Sequence, residues 1–78
     1  MQVIYSRTAL KGLRGMPQKD ALALMDKLES YAATGKGAVT RLVGQPLFRL
    51  RHGDWRAVFE VTGDVLVLRV AHRREVYE

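Results

Sequence analysis

The chain has 78 residues and no cysteine, with 47% hydrophobic and 27% charged residues and a net charge of +5. This length allows one domain, residues 1–78, burying roughly 60% of its extended surface, and the lack of cysteine excludes a disulfide framework or a thiolate metal site. No apolar run approaches the roughly 20 residues of a membrane span, and MQVIYSRTAL lacks the basic-then-apolar order of a signal peptide, so the expected setting is the cytoplasm, with no membrane partner.

Residues 2 to 5 (QVIY) read as a short strand. Ser6 is placed to cap a helix over Arg7 to Arg14, which Gly12 and Gly15 weaken and limit. Pro17 suits the first turn of a second helix, and Asp20 favours the positive end of its dipole. Ala21, Leu24, Met25, Leu28, Tyr31 and Ala32 then recur at spacings of three and four, which predicts an amphipathic helix near residues 17 to 33. Thr34-Gly35-Lys36-Gly37 ends it, with Gly35 or Gly37 in the left-handed conformation. A phosphate-binding loop is excluded at this point, because the segment follows a helix and Ala38 stands where Ser or Thr should follow Gly-Lys.

The period then changes to two. Leu47 to Arg51, Trp55 to Val61 and Val65 to Val70 read as strands, separated by the short turns His52-Gly53-Asp54 and Thr62-Gly63-Asp64. Connections this short make hairpins. The order β-α-α-β-β-β predicts an α+β two-layer sandwich, a helical hairpin on one face of a mainly antiparallel sheet. The other sheet face is expected to be open.

Alternation sorts the side chains between these faces. Phe48 and Leu50 share one face with Trp55, Ala57, Phe59 and Val61, and with Leu66, Leu68 and Val70 of the last strand. Arg49, Arg51, Arg56 and Arg69 then fall on the exposed face, and Arg73 and Arg74 follow just beyond. All four lysines precede residue 37, whereas seven of nine arginines lie at or after residue 41. A guanidinium forks onto phosphate and stacks on bases. Arginines gathered on one face repel each other unless an anion sits among them, so this face is the candidate site for a polyanion.

The tail HRREVYE adds His72 and Tyr77 beside the arginines. Neighbouring cations favour a phenolate. A phenolate or imidazole could take a proton from a ribose 2′-hydroxyl, while arginines neutralise the charge developing on the adjacent phosphate. His52 and His72 have no metal-ligand spacing, so no metal and no cofactor are expected.

The sequence resembles the RelE/ParE superfamily of type II toxin-antitoxin toxins. Arg41-Leu42 with Gly44 and Pro46-Leu47, then FRLRHGDWRAVFEV, then VLVLRVAHRREVY carry the resemblance. It implies a RelE-like fold and, in the RelE branch, a ribosome-dependent mRNA interferase that cleaves A-site codons without metal. The implied catalytic residues are Arg56, Arg73 and Tyr77, the arginines for phosphate and transition-state stabilisation and Tyr77 for proton transfer. Arg49, Arg51, Arg69, Arg74 and His72 are the expected RNA-binding set. The implied partners are an acidic antitoxin from an adjacent gene, the ribosome with its mRNA, and operator DNA through the antitoxin alone. The ParE branch shares the fold but poisons DNA gyrase, so a gyrase inhibitor is the alternative. An inactive homologue acting only in the antitoxin and operator complex is the third possibility.

Overall fold

Ser6 starts the first helix as its position predicts. Its backbone is extended, and its hydroxyl accepts a hydrogen bond from the Ala9 N–H at 3.0 Å, which satisfies one of the unpaired donors of the first turn. The computed structural model describes residues 1–75. β1 (Val3–Tyr5) leads into α1 (Arg7–Arg14) and α2 (Gln18–Thr34). β2 (Val39–Arg41), β3 (Phe48–His52), β4 (Trp55–Val61) and β5 (Val65–His72) follow. Gly35 ends α2 at φ 74° and donates its N–H to the Tyr31 carbonyl at 2.7 Å, the left-handed cap expected there.

The five strands form one sheet in the order β1-β5-β4-β3-β2. β1 runs parallel to β5, and every other neighbouring pair is antiparallel. Both helices cover one face. Leu24 and Leu28 of α2 meet Leu50, Phe59, Val65 and Val67 of the sheet, all essentially inaccessible to solvent. Complete burial of one such side chain is worth about 1.5–3 kcal/mol. Tyr31 meets Phe59 edge-on at 5.3 Å between ring centroids, and Phe48 stacks on the same ring at 5.6 Å. His52 Nε2 lies 3.3 Å from Asp20 Oδ1 and ties β3 to the first turn of α2.

Gly12 has a packing reason. A Cβ there would lie 2.0 Å from the Val70 carbonyl oxygen. The backbone of α1 therefore rests directly on β5, which only a residue without a side chain permits.

Two features correct the alternation pattern. First, the antiparallel run has four strands, because Val39-Thr40-Arg41 pairs with Leu50-Arg49-Phe48. Three residues after a glycine-rich turn carry too short a pattern to reveal a strand. Second, Val65 and Val67 face the core, whereas Leu66 and Leu68 are only half-buried. The cause is a bulge. Phe59 pairs with Val67 and Val58 with Arg69, so Leu68 has no partner of its own. An extra residue resets the alternation. Val65, Val67 and Val70 can then all pack inward while Arg69 points out. The bulge itself is anchored, because Ser6 Oγ donates to the Leu68 carbonyl at 2.8 Å and Ser6 N to the Val67 carbonyl at 2.9 Å.

No helix among the described residues is long and apolar enough to cross a membrane.

Candidate nucleic-acid interface

Register decides which arginines meet. Thr40, Arg49, Val58 and Arg69 lie side by side across β2, β3, β4 and β5. In the next row on the same open face, Arg51 stands opposite Arg56, which stands opposite Ala71. Four of the expected residues, Arg49, Arg51, Arg56 and Arg69, thus share one face, as their alternation predicts. Arg49, Arg51 and Arg56 also line a cleft of about 330 Å³, whose remaining wall is formed by Gly37, Ala38, Val39 and Thr40. That wall is β2 and its lead-in, the part of the site that reading the sequence missed.

Arg56 is the most constrained member. Its Nη1 donates to the Gly53 carbonyl at 2.7 Å and to the Trp55 carbonyl at 3.0 Å, across the β3–β4 turn. Desolvation first, then the charges of Arg49, Arg51 and Arg73, push its guanidinium below the ordinary arginine range, and Asp54 partly offsets them. Arg73 is therefore within electrostatic reach of the cleft. It is held there by Asp54, whose backbone carbonyl accepts from Arg73 N at 2.7 Å and whose Oδ1 lies 3.5 Å from Arg73 Nε. Asp54, unremarkable as a turn residue in the sequence, thus positions a candidate site arginine. Arg69 Nη2 donates to the Glu75 carbonyl at 2.6 Å and draws the segment after β5 back toward the open face.

Other expected members stand apart. His72 pairs with Trp55, packs edge-on to its ring at 5.4 Å, and accepts at Nδ1 from Arg74 N at 3.3 Å. The register puts it on the helix side of the sheet, away from the arginine cleft. Arg74 is exposed on the turn that follows. Tyr77 lies outside the described residues. Arg41, paired with Phe48, turns to the helix side and sets its guanidinium 5.9 Å from the centre of that ring.

Chemically, the open face offers fixed positive charge at several points around one concavity. A guanidinium stays protonated in proteins. The arrangement can therefore bind and stabilise a phosphodiester, and cannot by itself remove a proton.

The fold has known counterparts. The RelB–RelE antitoxin–toxin complex from Methanococcus jannaschii contains a chain that superposes with a TM-score of 0.79 at 24% identity, covering 95% of this chain and 94% of that one. The isolated RelE toxin of E. coli gives 0.78 at 21% identity, over 91% and 82%. The archaeal RelE–RelB complex from Pyrococcus horikoshii gives 0.70 at 25% identity, over 96% and 97%. No curated protein sequence matches. Residues 3–77 match the family model described as the ParE toxin of the type II toxin-antitoxin system parDE. The chain therefore belongs to the ParE toxin family, within the RelE/ParE superfamily of type II toxin-antitoxin toxins.

Proposed function

We propose that this toxin is a metal-independent endoribonuclease that cleaves mRNA at A-site codons on the ribosome, in the cytoplasm, and that an acidic antitoxin from an adjacent gene restrains it. The observation that supports this most is the convergence of Arg49, Arg51 and Arg56 on one cleft, with Arg69 and Arg73 beside it. The ribose 2′-oxygen attacks the adjacent phosphorus, and the bond from phosphorus to the 5′-oxygen breaks. The products are a 2′,3′-cyclic phosphate and a 5′-hydroxyl. Arg56 and Arg73 stabilise the charge that builds on the phosphoryl oxygens, and Arg49, Arg51 and Arg69 hold the strand. Because guanidinium groups do not exchange protons at neutral pH, transfer of the 2′-hydroxyl proton falls to Tyr77 in this reading.

Primer extension on ribosome-bound mRNA after induction tests the reaction class. Cuts within A-site codons support the proposal, and intact message throughout growth arrest overturns it. The match to a ParE family model favours a second reading, in which the same basic face binds DNA gyrase. Trapped gyrase–DNA cleavage complexes on expression would select that reading.

A further inference from the structure

The Thr34-Gly35-Lys36-Gly37 segment is no phosphate loop in the usual sense, yet it stands at the edge of the arginine cleft. Gly37 and Ala38 form one wall of that cleft and also line a second hollow of about 170 Å³ on their other side. Lys27, Ser30 and Lys36 line this second hollow, with Leu50 at its base. Lys27 and Ser30 are three residues apart and share a face of α2. The left-handed turn at Gly35 ends the helix just before Lys36. Thr34 fixes the turn, since its Oγ1 donates to the Ser30 carbonyl at 2.9 Å and accepts from Lys36 N at 3.1 Å. Both lysines are exposed, and among the described residues neither takes part in an ion pair.

The two hollows are thus separated by a ridge with no side chain larger than a methyl group. A chain of phosphates can cross such a ridge closely, with arginines on one side and ammonium groups on the other. An acidic protein segment fits the arginine cleft less well, because it would bring apolar side chains needing pockets, and that cleft presents mainly polar surface.

Building on the ribonuclease reading, we infer that the RNA strand held in the arginine cleft continues over the Gly37–Ala38 ridge, and that Lys27 and Lys36 grip its next phosphates. The site is therefore longer than the cleft that performs the chemistry.

The test uses the full chain and fluorescent 2′-O-methyl oligouridine, which lacks the attacking hydroxyl and stays intact. Oligomers of about 4 and about 12 nucleotides bracket single-strand sites on small domains. Anisotropy is measured over a series of salt concentrations. For the 12-mer, K27Q/K36Q lowers the slope of log affinity against log salt by about 1.4, at roughly 0.7 per phosphate contact on a single strand. The loss is confined to the longer oligomer, whereas R49Q/R51Q weakens both lengths. An unchanged 12-mer slope in K27Q/K36Q, with R49Q/R51Q still weakened, overturns the extended track and leaves the ribonuclease reading standing. Absence of binding at either length by the unaltered protein overturns the extended track, and the ribonuclease reading is then decided by primer extension on ribosome-bound mRNA. If an oligoglutamate peptide displaces the 12-mer more effectively than unlabelled RNA does, the lysine edge belongs to a protein partner and the inference fails.

Discussion

Ser6 Oγ donates a 2.8 Å hydrogen bond to the carbonyl of Leu68, the residue left without a partner by the β4–β5 bulge. The same oxygen accepts from Ala9 N. One hydroxyl therefore caps α1 and satisfies the irregular point of β5. Loss of a cap costs about 0.5–2 kcal/mol, and an orphaned part-buried carbonyl adds about 1 kcal/mol or more. Ser6→Ala is expected to destabilise the fold by about 2 kcal/mol. In a domain of this size that lowers the thermal midpoint by about 10 °C, at roughly 4–8 °C per kcal/mol. Calorimetry checks it.

Gly12→Ala separates helix propensity from packing. Propensity alone favours alanine by about 1 kcal/mol in a helix interior. The Cβ would meet the Val70 backbone oxygen at 2.0 Å, and that oxygen cannot rotate away. The expected outcome is the opposite sign, a loss of about 3 kcal/mol as α1 is forced off β5. Urea denaturation reads the sign directly.

Arg51 stands directly opposite Arg56 across the β3–β4 ladder. Like charges so placed cost about 0.2–1 kcal/mol. Arg51→Gln is expected to stabilise the free protein by about 0.5 kcal/mol at low salt, a gain that shrinks near 1 M salt, where screening acts over about 3 Å. Its affinity for single-stranded RNA falls at the same time. Denaturation at two ionic strengths, with a parallel binding titration, tests whether these arginines are kept at the expense of stability.

Tyr5 gives the fold an alkaline limit. Burial first, then the charge of Glu29, raise its phenol from the ordinary 10 to about 12. Its buried hydroxyl has no hydrogen-bond partner among the described residues. The folded state favours the neutral phenol, so this contribution is complete below pH 10 and is lost as the pH rises through 12. Tyr5→Phe is expected to flatten the decline in stability over that interval. Denaturation midpoints measured from pH 9 to 12 check the slope.

The ribonuclease reading makes its own demand on Arg56. Removing one charged stabiliser from a transition state typically costs about 10²–10³ in rate. Arg56→Ala is expected to lower mRNA cleavage by that factor while the protein still folds cooperatively. Quantified primer extension beside a thermal melt distinguishes this from simple unfolding.

What could be read in the sequence follows from the range of the interactions. Ser6, Gly35 and the α2 stripe act within a turn or two of chain, so their residue types announce them. Arg49, Arg51 and Arg56 are also local, because two short hairpin strands with clear alternation fix their face. Val65 to Leu68 is different. Four apolar residues in a row carry no period, and the bulge that orients them depends on β4 and on Ser6, more than 60 positions away. β2 failed for a related reason, since its three residues become a strand only when β3 lies alongside. Asp54 holding Arg73 and His72 packing on Trp55 are likewise products of the β4–β5 register, which no local pattern encodes.

The sheet order also bears on when the toxin comes into being. β5 lies between β1 and β4, and it supplies Val65, Val67 and Val70 to the core and Arg69 to the open face. It is synthesised after every other strand. A nascent chain that has not yet released β5 holds β1 without its partner and α1 without the backbone it rests on. Cooperative folding, and with it the assembled basic face, must then wait for nearly the whole domain to emerge. Until that moment the growing polypeptide lacks the assembled face on which the proposed activity rests.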